Sequence, residues 1–500
     1  MVVFTIIGVV TAALVATVAV LALLLASRRR QYSHIPLPPL DNFWLGHASS
    51  VDRKLRGGLA IDEIMMEYSK KHGEVFVLFF LHSPYVVVSL DDPKAMREVV
   101  NDKSLVKSDI YLAMRSIYGH RFCGNFIDGE TDVNVWLKRQ KAFAPVYSTK
   151  NVRELVVLVN QLVDKFIMHI DKEKDKEEAL GMKDTIRLIT SAIGGSITFG
   201  VDIETIVEMK SLDQALETAF ALYRDMVFDP LTRYLPIYRG KWQQAKETCA
   251  FLRGEVAKYV VKRQKETSET NSHDWKDFLS FALKVIGEYD FEVVIDMLLE
   301  IYIGTALTTP ATMSNCLREI LRHPEVEKQV VEEVDRVLEG KPFVSATDVQ
   351  SLHYLDCVLK ETLRRHSTVS TFSRASTSAL TVAGYAIPVG CDVHISCFAM
   401  HLNDKLWHDP MKFDPNRFYS LNDPSATLSF GCGIRACLGR SLAEHEMTVI
   451  IARLFQTFTF QLEQQSKEYD MYDPKASVMI LRDPVKCKIK RRLVKETGLC

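Results

Sequence analysis

The hydrophobic and polar positions along the chain begin with a long apolar run. Residues 2–26 contain no charged residue, and Arg28, Arg29 and Arg30 follow almost at once. At about 1.5 Å per residue, a helix of this length spans about 37 Å, which exceeds the hydrocarbon core of a bilayer. A cleaved signal peptide would start with positive charge and carry a shorter apolar stretch. The pattern therefore predicts a membrane anchor over residues 1–30.

Prolines dominate the segment that follows the anchor. Residues 31–44 contain the run HIPLPPL, and closely spaced prolines favour an extended, semi-rigid backbone. The segment is therefore predicted to be a linker that holds the rest of the protein at a fixed distance from the bilayer. The remainder contains no internal repeat, so residues 45–500 are predicted to form a single catalytic domain.

The first regular pattern in this domain is that of a β-hairpin. Residues 74–80 and 85–90 are rich in β-branched and aromatic side chains, with a turn predicted at residues 82–84. Asp92 then supplies a helix N-cap, and Pro93 is a favoured first helical residue. The chain is therefore expected to pass from the hairpin into a helix.

Helical periodicity dominates between about residues 135 and 455. One predicted helix follows His323 and closes at Gly340, because glycine is the usual residue just after a helix. Short strand-like stretches return at 380–390, 392–398 and 485–492. The expected fold class is mostly α with a small β part, which some schemes class as α+β.

Composition changes this picture little. The chain has a formal net charge of −1, which gives no reason to expect nucleic-acid binding. Hydrophobic residues are 47% and charged residues 25%, an ordinary globular mixture. The ten cysteines include no CxxC pair, so the pattern indicates neither a disulfide framework nor a zinc ribbon.

One cysteine stands in an unusual setting, the stretch FGCGIRACLG. Glycines surround Cys437 at positions 431, 433 and 439, and a helix-like segment begins just beyond them. Glycine permits left-handed backbone and close approach to a sulfur, and the positive end of a helix favours a thiolate. Arg435 is suited to pair with a carboxylate. This pattern predicts a metal-bound thiolate.

The stretch matches FxxGxRxCxG, the signature of the cytochrome P450 superfamily of haem-thiolate enzymes, at every fixed position. The resemblance covers nearly the whole chain and implies the cytochrome P450 fold behind an N-terminal transmembrane helix. It implies that Cys437 is the axial ligand of haem b iron, that Arg435 holds a haem propionate and that Phe430 screens the sulfur.

Three further motifs occur in the family's order. Glu361 and Arg364 form E-x-x-R, and Arg417 in FDPNRF is expected to complete a buried structural network with them. Arg374 matches a second propionate contact. Trp136 matches the tryptophan of W-x-x-x-R.

Two of these regions depart from the family pattern. The position four residues after Trp136 is Gln140, which supplies no charge, so Gln140 is not counted as a propionate contact. Prolines often follow the E-x-x-R helix, but here Ser367 and Thr368 stand there, which makes the backbone at the pocket edge harder to predict.

The distal-helix motif departs in a way that bears on mechanism. In GTALTT, Thr308 holds the position of the catalytic alcohol, but Leu307 replaces the expected acid and Thr305 replaces a glycine beside the dioxygen site. Glu300 lies eight residues before Thr308, about 12 Å along a helix, and is too far to substitute directly. Pro310 leaves the Ala306 carbonyl without its helical donor, which could kink the helix and hold a water beside Thr308.

The resemblance implies a membrane-anchored monooxygenase that uses dioxygen and electrons from NADPH through a flavoprotein reductase. Residues 31–47, 107–125 and 481–492 resemble cholesterol 24-hydroxylase-type sterol hydroxylases, so a sterol or another apolar lipid is the expected substrate. The positive-inside rule and the family imply a single-pass protein of the endoplasmic reticulum membrane whose domain faces the cytosol. Four basic residues are candidates for the reductase surface: Lys138, Arg139, Lys141 and Arg440. Four more residues are candidates for the pocket wall: Phe126, Val369, Thr371 and Phe372.

Two other functions stay open at this point. Some relatives without the usual acid rearrange lipid peroxides or epoxides and need neither dioxygen nor a reductase, and Leu307 favours that alternative. The chain could also bind haem and a lipid without turnover.

Overall fold

Helices make up most of the protein. The computed structural model describes residues 2–108, 132–173, 180–201, 206–228, 235–270, 277–285, 290–421, 426–463, 472–474, 476, 478–482 and 486–492. The α-helices are Val2–Arg30 (α1), Ala48–Arg56 (α2), Ile61–His72 (α3), Pro93–Asn101 (α4), Val133–Phe143 (α5), Thr149–Glu173 (α6), Met182–Phe199 (α7), Ile206–Phe228 (α8), Arg239–Thr270 (α9), Phe278–Val285 (α10), Phe291–Arg322 (α11), Pro324–Leu338 (α12), Ala346–Ser351 (α13), His353–Arg365 (α14), Cys397–His401 (α15), Arg417–Ser420 (α16) and Arg440–Thr457 (α17).

The strands form small sheets at the edges of this helical body. They are Val75–Phe80 (β1), Ser83–Val88 (β2), Leu105–Lys107 (β3), Leu180–Gly181 (β4), Thr371–Ser376 (β5), Leu380–Val382 (β6), Tyr385–Ile387 (β7), Asp392–Ser396 (β8), Phe458–Leu462 (β9) and Lys486–Arg491 (β10). One sheet has the order β1-β2-β8-β5-β3, a second has β4-β10-β9, and β6 pairs with β7. The expectation of a mostly helical fold with a small β part is confirmed.

The predicted hairpin forms, with its turn one residue earlier than expected. β1 pairs antiparallel with β2, and Phe80 stands opposite Ser83, so Leu81 and His82 make the turn. Leu81 has a φ of 56°, the left-handed backbone that such a tight reversal needs. Residue 83 therefore belongs to the second strand.

The predicted helix boundaries are nearly right. The side chain of Asp92 accepts a hydrogen bond from the Lys94 amide at 2.9 Å, and Pro93 is the first residue of α4. At the end of α12 the left-handed backbone begins at Glu339, one residue before Gly340, and continues through that glycine. The glycine that the sequence places at the helix end is therefore the second residue of a left-handed turn formed by Glu339 and Gly340.

Two long helices form the centre of the molecule. α11 packs against α7, and α17 packs against α6 and also contacts α11. Their facing side chains belong to the largest buried apolar cluster, while a second cluster lies around the five-stranded sheet. The cysteine-containing loop thus lies between the helical core and the sheet.

The N-terminal helix and the proline-rich segment differ in exposure. α1 is exposed along its apolar length, and among the described residues it is the one helix long and apolar enough to cross a membrane. The segment 31–44, in contrast, packs on the domain. Tyr32 is fully buried against the Phe79 ring, and the Val77 amide donates to the Pro36 carbonyl at 2.9 Å. The proline-rich segment is therefore attached to the sheet through these contacts.

Candidate haem-binding site

A cavity of about 370 Å³ lies between the distal helix α11, the strand β5 and the loop that leads into α17. The structure brings together most of the residues that the sequence singled out. Those that line the cavity are Trp136, Thr308, Val369, Thr371, Phe372, Arg374, Phe430, Arg435 and Cys437. Phe126 falls outside the described residues, as does most of the 107–125 stretch.

The loop around Cys437 is held by its own backbone. The Cys437 amide donates to the Phe430 carbonyl at 2.8 Å, which closes the loop behind the sulfur. The Arg440 guanidinium lies 5.3 Å from the centre of the Phe430 ring. α17 begins at Arg440, so its positive end lies three residues beyond Cys437 and favours the thiolate form of that side chain.

The three glycines of the loop have different roles. Gly431 and Gly433 both have a φ of 67°, where a side chain would be strained. A Cβ at Gly433 would also overlap the side chain of Asn101, so this glycine lets the end of α4 approach the loop. Gly439 has ordinary backbone, and a Cβ there would lie 3.9 Å from the Cys437 sulfur. The prediction that all three permit unusual backbone is therefore wrong for Gly439.

Basic side chains and one indole N–H line the cavity. The Arg435 guanidinium lies 4.1 Å from the centre of the Trp136 ring, which fixes both side chains. The Trp136 Nε1 is buried and makes no hydrogen bond within the described part of the chain. Arg374 and Lys107 stand directly opposite each other on β5 and β3. This set suits a ligand that carries carboxylates.

Gln140 supports the loop itself. Its Nε2 donates to the Ile434 carbonyl at 3.3 Å, next to Arg435. A side-chain amide on α5 thus ties that helix to the cysteine loop. This contact accounts for a glutamine at a position where the family commonly has an arginine.

The predicted E-x-x-R network is present in full. Arg364 and Glu361 are completely buried and joined by two hydrogen bonds of 2.7 and 2.8 Å. The Arg417 Nε donates to the same Glu361 carboxylate at 3.2 Å, and the Asp414 amide donates to it at 2.9 Å. The completely buried charges of Glu361 and Arg364 therefore compensate each other, as burial requires, and the partly buried Arg417 adds a second cation beside them.

Thr308 lies on the cavity side of α11. Its hydroxyl donates to the Gly304 carbonyl at 2.6 Å, so its oxygen is left to accept a proton donor from the cavity. Thr305 also lines the cavity, and its hydroxyl packs against Gly194 of α7. A glycine on the neighbouring helix thus makes room for the threonine that replaces the usual glycine.

Leu307 and Pro310 line a different cavity, of about 330 Å³, together with Ala306. α11 continues through Pro310 as one helix from Phe291 to Arg322. The residues of this second cavity include Arg187 and Glu217, which form an ion pair with each other. The hypothesis that Pro310 holds a water beside Thr308 is therefore not supported, because the proline and the Ala306 residue line the other cavity.

Hydroxyl groups fix the segment after the E-x-x-R helix, where Ser367 and Thr368 stand in place of prolines. Ser367 Oγ is 2.7 Å from His401 Nδ1, and Thr368 Oγ1 is 2.7 Å from Thr312 Oγ1 on α11. These side-chain hydrogen bonds replace the conformational restriction that a proline would impose. The pocket edge at Val369 and Thr371 is thereby held to the distal helix.

Four ionisable residues of the cavity were not among the predicted site residues. They are Lys107, Tyr147, Glu300 and Glu446. Burial raises the pKa of Tyr147, and the nearby Cys437 and Glu300 raise it further. Lys107 and Tyr147 belong to no motif, and Glu446 lies within an apparently ordinary helix. Only the tertiary packing places them here.

The residues present fit haem b. A thiol at the positive end of a helix supplies an iron ligand, and the wall around it is largely apolar. The buried Trp136 N–H needs an acceptor, and the cations beside it suit the two propionates of the haem. This combination defines the haem-thiolate class of proteins.

The chain belongs to the cytochrome P450 family, because the family model Cytochrome P450 matches residues 36–491. Its cofactor is haem b, and it is a haem-dependent monooxygenase.

Relatives with the same family name cover most of the chain. The protein is 26% identical over 422 residues to cytochrome P450 3A11 of Mus musculus, a match that covers 79% of this chain and 81% of the relative. It is 25% identical over 470 residues to cytochrome P450 3A14 of Cavia porcellus, covering 88% and 89%. Cytochrome P450 3A2 of Rattus norvegicus is 26% identical over 422 residues, covering 79% and 81%. The similarity to the 3A proteins gives no support to the expected sterol-hydroxylase specificity.

Proposed function

We propose that the protein is a membrane-anchored monooxygenase that hydroxylates an apolar lipid. The observation that carries this proposal is the single cavity wall shared by Cys437, Thr308 and the apolar side chains of β5. The reacting carbon of a substrate bound against that wall would lie between Cys437 on one side of the cavity and Thr308 on the other. The exposed apolar helix α1 supports attachment to a membrane, from which an apolar substrate would enter.

The proposed roles follow the chemistry of each side chain. Cys437 ligates the iron through its thiolate, and Phe430 shelters the sulfur from water. Arg435, Arg374 and Trp136 hold the propionates through charge-assisted hydrogen bonds. Bound haem b supplies the iron at which dioxygen is activated, and electron donation from a thiolate ligand favours O–O cleavage.

Thr308 is the proposed proton-handling residue of the distal side. Its hydroxyl proton is directed to the Gly304 carbonyl, so its oxygen can accept a hydrogen bond from a water in the cavity. Leu307 contributes no proton, because its side chain is apolar and lines the second cavity. Protons therefore reach Thr308 through water within the haem cavity.

A sterol is the proposed substrate within the apolar class. Val369, Thr371 and Phe372 present a mixed apolar and hydroxyl wall, which suits a rigid hydrocarbon with a single polar group. The resemblance of the 31–47 and 481–492 segments to sterol hydroxylases supports the same choice.

The proposed electron donor is an NADPH-dependent flavoprotein reductase in the same membrane. Lys138 and Lys141 are exposed on α5, close to the cysteine loop, and suit an acidic partner. Arg440, by contrast, is already paired with Glu444 at 2.8 Å, so its charge is partly used within α17. The basic cluster after the apolar span supports an endoplasmic reticulum location with the domain in the cytosol.

The experiment that tests this function combines a spectrum with turnover. The purified full-length protein should give the reduced-CO spectrum of a thiolate-ligated haem, and Cys437→Ser should lose it. With reductase and NADPH, a sterol mixture should yield hydroxylated products that mass spectrometry identifies. The matched control is Cys432→Ser, a neighbouring buried cysteine that contacts Asn101, and it should keep the thiolate spectrum.

Two outcomes would contradict parts of the proposal. Product formation from a lipid hydroperoxide without NADPH, and none from sterols with it, would favour the rearrangement chemistry that Leu307 permits. A thiolate spectrum without NADPH consumption on any lipid would favour binding without turnover.

A further inference from the structure

Glu446 is an unusual residue of the haem cavity. It lies on α17, its side chain is about 2% exposed, and it lines the same cavity as Cys437. Its Oε1 atom is buried and makes no hydrogen bond within the described part of the chain. An unpaired buried carboxyl group is costly.

The surroundings of Glu446 on its own helix are apolar. Leu442, Ala443 and Met447 share its face of α17 and line the cavity with it. Seven residues separate Gly439 from Glu446, about 10 Å along the helix axis. Glu446 therefore lines the haem cavity about two helical turns beyond the loop that carries the sulfur.

Among the described residues, Glu446 forms no ion pair with the elements packed on α17. The charged groups of those helices and of α17 itself act elsewhere. Arg453 pairs with Asp164, Arg364 with Glu361 and His366 with Glu319, and the completely buried Arg318 acts on His366. Glu333 accepts from the Tyr354 and Leu355 amides, and Asp348 accepts from Ser345. The other charged or titratable groups that line the cavity are Lys107, Tyr147, Glu300, Arg374, Arg435 and Cys437. None of these contributes to the pKa of Glu446, which burial alone raises to about 8.

We propose that Glu446 couples reduction of the haem to the uptake of one proton. When a one-electron donor reduces the haem, the Glu446 carboxylate takes one proton from solvent and becomes a neutral carboxylic acid. One O–H bond forms, no bond to the haem changes, and the electron and the proton enter the same low-dielectric cavity. Reduction therefore adds no net charge to the protein interior.

The physical basis is the interaction between two negative charges. An electron added to the haem disfavours a carboxylate in the same cavity, so the pKa of Glu446 is higher in the reduced protein than in the oxidised one. At a pH between those two pKa values, Glu446 is a carboxylate in the oxidised protein and takes up a proton only when the haem is reduced. The reduction potential then falls as the pH rises, by at most about 59 mV per tenfold drop in proton concentration. Below the lower pKa, Glu446 is protonated in both states and contributes no slope.

The test is a redox titration of the substrate-free holoprotein, followed by its absorption spectrum, at pH values from about 6 to 9.5. We expect a midpoint potential that is flat at the acidic end and falls with pH at the alkaline end. Glu446→Gln, which keeps the size of the side chain but cannot ionise, should give a flat profile. The matched control is Glu300→Gln, the other glutamate of the cavity, and it should keep the wild-type slope. Glu446→Asp should restore a slope.

A second measurement needs no variant. Infrared difference spectra of the wild-type holoprotein near pH 8 should show a protonated carboxyl band that appears on reduction and shifts in D2O. A flat wild-type potential without this band, or a slope that persists in Glu446→Gln and disappears in Glu300→Gln, would overturn the proposal. Neither experiment uses a substrate or the reductase, so both are independent of the proposed substrate and partner.

Discussion

At the scale of single residues, the orphaned N–H of Trp136 is the clearest sign of an absent ligand. Its ring is fixed by Arg435, and its Nε1 is buried without a partner among the described residues. A buried donor that lacks an acceptor costs about 1–3 kcal/mol, and because Trp136 lines the cavity, a ligand bound there can offset that cost. The proposed propionate contact supplies that acceptor.

This leads to a prediction for Trp136→Phe. The variant keeps an aromatic ring beneath Arg435 but loses the donor, and a hydrogen bond to a charged group contributes about 1.5–3 kcal/mol. We expect haem to dissociate about tenfold faster or more, measured by transfer to an excess of a haem-accepting protein. Trp242→Phe is the control, because its indole N–H is also unpaired but its side chain is not among the cavity residues. Equal dissociation rates in Trp136→Phe and the wild type would contradict the propionate assignment.

At the scale of elements, buried charges join helix α14 to the loops around it. Glu361 receives two arginines and one backbone amide, and Arg364 also donates to the His401 carbonyl at 2.8 Å. The same helix contributes Leu363 to the cavity wall, and the Ser429 hydroxyl of the cysteine loop is 3.4 Å from the Leu363 carbonyl. The network therefore fixes the position of the wall on which the cysteine loop rests.

Removing one charge from this network should be strongly destabilising. Glu361→Gln leaves two arginines with an uncompensated buried charge, and breaking such a pair costs about 3–5 kcal/mol. We expect a matching loss in the free energy of unfolding, measured by urea denaturation with circular dichroism. The exposed pair of Arg440 and Glu444 provides the control, since Glu444→Gln should cost less than about 1 kcal/mol. A loss of similar size in Glu361→Gln and Glu444→Gln would show that the buried network stabilises the fold no more than an exposed ion pair does.

At the scale of the whole molecule, the end of the apolar helix is packed on the domain. The Arg29 guanidinium is buried 5.2 Å from the Phe43 ring and 5.6 Å from the Phe79 ring. Tyr32 packs edge-on against the same Phe79. The orientation of α1 relative to the sheet is thus fixed by side-chain packing, and a bilayer around α1 would hold the domain in one orientation.

Two truncations should separate anchoring from packing. Removal of residues 2–27 deletes the apolar span but keeps Arg29 and Tyr32, so the protein should move from the membrane pellet to the supernatant with its haem and thermal midpoint unchanged. Removal of residues 2–33 also deletes the packed side chains and should lower the thermal midpoint, because burying a large aromatic side chain contributes about 3 kcal/mol or more. The measurements are sedimentation, the absorption spectrum and thermal denaturation. A 2–27 deletion that stays in the pellet after an alkaline wash would contradict the anchor.

Local signals allowed much of this molecule to be predicted. The hairpin, the cap at Asp92 and the helix ending near Gly340 depend on neighbouring residues, which is why their boundaries are predicted to within two residues. The sequence gives no signal where distant residues decide. Gly433 is needed because Asn101 approaches it, and the linker is held because Tyr32 finds a pocket on the sheet. Neither partner is near in sequence.

The sequence by itself determined the class of chemistry, because a cysteine that follows two left-handed glycines and precedes a helix start is a local arrangement that ten consecutive residues encode. It also determined the exposed apolar helix and the charged network, whose members occur in recognisable motifs. Only the tertiary structure decided which side of α11 each residue faces, and it placed Thr308 in the haem cavity and Leu307 outside it. It alone brought Lys107, Tyr147 and Glu446 to the cavity, because burial and long-range packing depend on the whole fold and leave no mark on a short stretch of sequence.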